Sequence, residues 1–228
     1  MARISAAPRQ GHLYALLRIF AYTKKHIESK LVFDPRPRDF SEIAWTSHDW
    51  KQFYPDIEGE SIPKNMPEPR GHPVQVNMFC DAAHATCHVT RRSTSGIIFF
   101  VNGAPIKWYS KRQNTVESSV FGSEFVSLKI AIEMNEALRY KLRMMGVPVD
   151  GPTNGFCDND SVVKNSTIPQ STLQKKHNSV AYHKVRESVA QGSIRIAHEQ
   201  GVHNLSNVLT KFLPASAFKS CCQCILFR

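Results

Sequence analysis

The chain has 228 residues, 42% of them apolar, and a mean hydropathy of −0.31, enough to bury one good core with an appendage. No apolar run approaches the roughly 20 residues of a membrane span, and the N-terminus lacks the continuous apolar block of a signal peptide, so an intracellular protein, cytoplasmic or nuclear, is expected. Twenty-nine basic against 19 acidic residues give a net charge of +10, which points to a polyanionic partner such as nucleic acid. Six cysteines, three scattered and three crowded near the end, form no paired CxxC knuckles and read as reduced thiols.

In chain order, HLYALLRIFAYTKKH (residues 12–26) sets Leu13, Leu16, Leu17 and Phe20 at helical spacing and ends in lysines, which suit the negative end of a helix dipole. Residues 34–73 are dense in proline and hold no period, as a linker or an extended wrap would. Beyond Pro73 the spacing predicts three antiparallel strands, Val74 to Cys80, Gly96 to Val101 and Ala104 to Ser110, the last two joined by the Asn102-Gly103 turn. A long helix is predicted over Ser118 to Met145, stopped by Gly146 and Pro148. A short strand at GFCDND, a small helix near Ser161 to Asn165, a helix over 179–191, a strand over 193–198 and a closing helix over 205–212 complete the chain. The expected fold class is α/β: a five-stranded mixed sheet, its first three strands antiparallel, flanked by helices.

A lone aspartate in a strand is ordinarily an edge or hydrogen-bonded residue. Asp81, however, has a counterpart in Asp158, each preceded by an apolar residue and a cysteine, and Glu124 lies in the first turns of the long helix. If the two aspartate strands are neighbours and the helix crosses near their ends, the three carboxylates converge. Such a cluster is tolerable only when protons or cations neutralise it. Hard oxygen ligands favour Mg2+ or Mn2+, and two such ions about 3.5 to 4 Å apart would clamp a phosphodiester. Cys80, His84, Cys87 and His88 have a zinc-like density, but strand alternation would turn them to different faces. Asp160 reads as a cap for the small helix and Glu117 as a helix-entry residue.

The motifs RRSTSG with SKRQNTVESS, SEF in the helix, CDN in the strand and KKHNSVAYHKVRE, over roughly residues 75 to 214, closely resemble the ribonuclease H region of copia-type long-terminal-repeat retrotransposon polyproteins. The first helix resembles the one closing the reverse transcriptase part, and no polymerase-type YxDD strand is present. The resemblance implies a ribonuclease H-like fold and hydrolysis of the RNA strand of an RNA–DNA hybrid. It also implies two divalent ions held by Asp81, Glu124, Asp158 and a fourth aspartate. Where the family reads like ADLLTK, this chain has SNVLTK, so Asn207 stands in the fourth place with an amide oxygen and no charge. DAAHATC also departs from the family's DADHAGD-like run, and residues 215–228 match nothing in it. On this reading residues 1–33 are a helix remnant of the polymerase connection, 34–73 a linker, 74–214 the ribonuclease H-like domain and 215–228 an atypical tail. A reverse transcriptase domain becomes a possible partner, and a retroelement particle a possible location.

His203, four residues before Asn207, is placed to shuttle protons or assist product release. Arg91, Arg92, Lys107, Lys111, Arg112, Lys175 and Lys176 are the expected phosphate contacts, and Ser93 and Thr94 could offer hydroxyls to the hybrid's minor groove. Of the adjacent Trp108 and Tyr109, one is expected in the core. A decayed or repurposed nucleic-acid-binding domain without nuclease activity is the rival reading. A DDE-type integrase shares the carboxylate logic, but the SEF helix lies between the two aspartates rather than after the second.

Overall fold

The computed structural model describes residues 7–173 and 176–227. Its centre is a five-stranded sheet of β1 (Val76–Ala83), β2 (Thr94–Val101), β3 (Ala104–Arg112), β4 (Thr153–Cys157) and β5 (Ile194–His198), in the spatial order β3-β2-β1-β4-β5. β1, β2 and β3 pair antiparallel, whereas β4 and β5 join in parallel. This is the ribonuclease H-like α/β architecture expected from the sequence. The helices are α1 (Gln10–Lys25), α2 (Val120–Met144), α3 (Asp160–Thr167), α4 (Ser179–Ala190) and α5 (Ala215–Gln223).

Both faces of the sheet are covered, so β1 is buried along its whole length and shows no polar alternation. Val76, Met78 and Cys80 point to one face, where they pack with Ile97 and Phe99 against Phe125, Leu128 and Ile132 of α2 and Val185 of α4. Phe79, Ile98, Phe100 and Phe156 fill the other face together with Leu205 and Cys221. Phe40, Ile43 and Trp45 pack against this second cluster, with the Phe40 and Phe156 rings 4.8 Å apart. The proline-dense stretch thus lies along the sheet as a strap. Further on, Glu60 bonds Arg139 of α2 at 2.6 Å and Arg143 at 2.6 Å.

Two elements differ from expectation. The predicted helix over 205–212 is a short 3-10 turn, Leu205–Leu209, because Asn204 caps it by accepting from the Ser206 N–H while donating to the Cys80 carbonyl. Asn159, not Asp160, caps α3, accepting from the Val162 N–H at 3.2 Å; Asp160 instead pairs with Lys164 one turn on. The unmatched tail is folded: α5 buries Cys221 and Cys222, and Leu226–Phe227 pairs antiparallel with Lys30–Leu31. No residue of α1 is buried, and Leu13, Leu17 and Phe20 are about half exposed. Among the described residues no helix is long and apolar enough to cross a membrane.

Candidate active site

Asp81 lies near the C-terminal end of β1 and is fully buried. The parallel pairing of β1 with β4 sets Cys80 beside Cys157, so Asp158, the next residue along, emerges next to Asp81. Glu124 arrives from the second turn of α2, whose start is fixed by Ser119 accepting the Gly122 N–H at 3.1 Å. Ser127, also on α2, donates its hydroxyl to the Asp81 carbonyl at 2.8 Å and ties the helix to the strand. Glu124, Cys157 and Asp158 place one ligand atom each within 4.8 Å of one another. Asp81 is not in that group, but its field reaches both Glu124 and Asp158, so the three carboxylates singled out in the sequence lie at one end of the sheet.

Burial pushes the Glu124 carboxyl up to about 10, helped by the negative fields of Cys157, Asp81 and Asp158. Asp158 is raised too, first by burial and then by Asp81, while Lys211 pulls it down. Glu124 Oε2 is buried and has no hydrogen-bond partner among the described residues. An orphaned oxygen beside two more carboxylates is a donor set with room for a hard cation.

A cationic group already reaches into this set. Lys211 Nζ lies 2.8 Å from Asp81 Oδ1, 2.9 Å from Asn207 Oδ1 and 3.7 Å from Asp158 Oδ2. Burial opposes the lysine's charge, but its hydrogen bond to Asp81 and the fields of Asp81, Asp158 and Glu124 raise its pKa. Thr210 donates its hydroxyl to Asp81 Oδ2. Asn207 is buried, its amide Nδ2 donating to the Gly201 carbonyl at 2.5 Å and its Oδ1 accepting from Lys211. Sequence reasoning named Asn207 but passed over Lys211 and Thr210. The signal was in SNVLTK itself, one helical turn beyond Asn207.

The 3-10 turn and the Thr210 that follows it lie directly over β2 at Gly96. A Cβ there would meet Thr210 Cγ2 at 2.5 Å, Leu209 Cβ at 3.0 Å and the Ser206 carbonyl at 3.0 Å. The glycine of RRSTSG is thus a close-approach residue for the site.

The expected nucleic-acid contacts divide. Arg91, in a left-handed turn at φ 54, and Lys176 are exposed, and Arg92 is half-buried beside them in the chain. Ser93 and Thr94 are turned inward rather than offered to a groove: Ser93 accepts from the Ala85 N–H at 3.0 Å, and Thr94 shares a 2.9 Å bond with Thr86. Along β3, alternation separates Lys107 and Lys111 from Arg112. Lys111 lies over the Tyr109 ring at 5.6 Å, Lys107 feels Lys141 of α2, and Arg112 donates to Cys87 Sγ at 3.3 Å. Tyr109 packs on the core while Trp108 is exposed. His203 sits exposed in the turn before the 3-10 segment. Lys175 lies outside the described residues. Glu117 is buried, with its Oε2 3.3 Å from His177 Nε2.

Among known proteins, the retrovirus-related Pol polyprotein from transposon RE1 of Arabidopsis thaliana is 27% identical over 151 residues, 66% of this chain and 10% of that protein. The corresponding polyprotein from transposon TNT 1-94 of Nicotiana tabacum is 27% identical over 143 residues, 63% of this chain and 11% of the relative. About two thirds of the chain is thus similar in sequence to plant retrotransposon Pol polyproteins. The chain spans about a tenth of the length of these curated relatives. No protein-family profile matches it. Similar solved structures include the N-terminal RNase H domain of a Mycobacterium tuberculosis protein, with a TM-score of 0.46 and 12% identity over 66% of this chain and 97% of that one. LC11-RNase H1 in complex with an RNA/DNA hybrid gives a TM-score of 0.45 and 13% identity over 60% of this chain and 94% of that one.

Proposed function

We propose that this chain is the ribonuclease H part of a retrotransposon Pol polyprotein and hydrolyses the RNA strand of RNA–DNA hybrids. The observation that carries the reading is the gathering of Asp81, Glu124 and Asp158 at one end of two neighbouring parallel strands, with Glu124 and Asp158 within 4.8 Å of each other and the field of Asp81 reaching both. Asp81, Glu124 and Asp158 are the residues that would hold Mg2+ or Mn2+, two ions in the full arrangement, with Asn207 lending an amide oxygen. Such ions, when bound, supply the positive charge that favours attack on a phosphodiester and departure of its oxygen.

The chain's own groups set the terms for that chemistry. Glu124 carries a proton at neutral pH so long as no cation compensates its burial, and gives it up as the cluster is neutralised. Thr210 and Ser127 hold Asp81 from its carboxylate and its backbone, which fixes the direction of its oxygens. Arg91, Arg92, Lys111 and Lys176 supply backbone attraction for the polyanion, with a salt-dependent affinity. His203, exposed in the turn before Asn207, is placed to exchange protons with water at the rim.

The test is cleavage of a labelled hybrid by the purified chain in Mg2+. The expected result is cutting by the natural sequence, none by Asp81→Asn, and faster cutting by Asn207→Asp. A second reading, a domain that binds nucleic acid without cutting it, is favoured by one observation: the amide at Asn207 and the ammonium of Lys211 together remove negative charge from the cluster. Hybrid retention without cleavage by the natural chain, with cleavage recovered by Asn207→Asp, would establish that alternative.

A further inference from the structure

Lysines usually rest their ammonium in water, yet Lys211 turns its head inward. The side chain stays 41% exposed while Nζ meets Asp81 Oδ1 at 2.8 Å, Asn207 Oδ1 at 2.9 Å and Asp158 Oδ2 at 3.7 Å. Two carboxylates and an amide oxygen converging on one positive centre are the ligands a hard cation would take. The base of the side chain is fixed as well. The Lys211 N–H donates to the Asn207 carbonyl at 3.0 Å, and the preceding Thr210 bonds the same Asp81.

We propose that Lys211 is a tethered cation occupying one of the cluster's cation places, which a divalent ion can enter only by displacing it. The proposal rests on reading the cluster as a metal centre. Charge counting supports it. Asp81, Glu124 and Asp158 supply at most three negative charges, Asn207 none, and the ammonium cancels one. A single divalent ion neutralises what remains; a second requires Lys211 to swing out toward solvent, which its half-exposed stem permits. Binding of the second ion and the inward pose of Lys211 are therefore mutually exclusive states of one site, and that ion loses affinity by the free energy needed to evict the ammonium.

The experiment is Mn2+ titration of the chelator-treated full chain, followed by electron paramagnetic resonance of the free ion, for the natural sequence, Lys211→Met and Lys211→Arg. A charge within about 4–6 Å moves such equilibria by roughly one to three log units, so Lys211→Met should bind Mn2+ about tenfold or more tightly. It should also take a second ion where the natural chain holds one. In EDTA Lys211→Met should melt below the natural chain, with the gap closing as Mn2+ is added, whereas Lys211→Arg, which keeps the charge, should stay weak. Should Lys211→Met give no cooperative melt, Lys211→Gln, which retains a donor for Asp81, takes its place. Equal or weaker Mn2+ affinity without the lysine charge, arginine behaving like methionine, or no binding by any variant would overturn the proposal. Because no cleavage is measured, the two readings fail separately. Tighter Mn2+ binding by Lys211→Met in a chain that never cuts hybrid sinks the nuclease and leaves the displacement intact.

Discussion

Gly96→Ala places one methyl group between β2 and the turn that carries Asn207, Thr210 and Lys211. Its Cβ would sit 2.5 Å from Thr210 Cγ2 and 3.0 Å from both Leu209 Cβ and the Ser206 carbonyl. Two of these three atoms belong to backbone or Cβ positions that cannot rotate away, so the turn must lift off the sheet. Overpacking of this kind costs about 1–3 kcal/mol, or roughly 2–12 °C in melting temperature for a chain of this size. Lifting the turn also withdraws the Thr210 and Lys211 partners from Asp81, so Mn2+ binding should change along with stability. The assay is calorimetry beside Mn2+ titration, with Gly59→Ala as control, since nothing lies within 4 Å of a Cβ there. Adding Thr210→Ser removes the methyl of the tightest contact and keeps the hydroxyl for Asp81, so the double variant should recover part of the loss. A Gly96→Ala chain with an unchanged melting temperature, or no recovery by Thr210→Ser, would refute the close-approach reasoning.

The strap should matter to stability through Glu60, which bonds the buried Arg139 and both terminal nitrogens of Arg143; Glu60→Ala leaves Arg139 without its carboxylate and should cost about 3–5 kcal/mol, read from urea unfolding. Its folded pKa is depressed, the bonds from Arg139 and Arg143 outweighing burial, so this contribution is present above the unfolded carboxyl value and fades as pH falls through the folded one. Glu124 runs the other way. With a folded value near 10 against a model-peptide value of 4.5, it favours the metal-free fold at low pH and progressively less from about pH 4.5 upward. Glu124→Gln in chelator should therefore flatten the fall in melting temperature between pH 5 and 9, and an unaltered slope would count against the raised carboxyl. Cys87, lowered to about 6 by the Thr90 hydroxyl and N–H and by Arg112, should alkylate with iodoacetamide with a midpoint near pH 6. Arg112→Ala should move that midpoint upward, and a midpoint near 9 in the natural chain would contradict the assignment.

The fold was legible because its strongest signals are local. Asn102-Gly103 between two apolar runs specifies a hairpin, and the apolar spacing from Phe121 to Leu142 specifies one face of a long helix, which is α2. The strap and the tail were not legible, because their order comes from docking rather than from period. Phe40, Ile43 and Trp45 are isolated aromatic and aliphatic residues among prolines, and they are partly buried by packing against the cluster around Phe156. The closing element was misread as α-helix for a related reason. Val208, Leu209 and Phe212 have helical spacing, but the Asn204 cap on the Cys80 carbonyl and the contact at Gly96 hold the chain in a tighter turn.

At the site, the sequence located the negative charges and missed the positive one. Asp81 and Asp158 stood out because charge inside an apolar strand is costly and needs a reason, whereas a lysine after a threonine near a loop looks like ordinary surface. The cost of the first explains the second. Gathered at the end of a covered sheet, Glu124 and Asp158 are raised in proton affinity by burial and by neighbouring negative charge, and the fold meets that expense with a proton on Glu124 and the ammonium of Lys211. An amide at Asn207 rather than a further carboxylate adds no charge to the cluster and gives Lys211 an oxygen to hold. Each of these features stabilises the folded chain without metal, and each removes charge that a divalent ion would otherwise find. Stability in chelator and affinity for metal are thus opposed at Lys211, and substitutions there should move the two quantities in opposite directions.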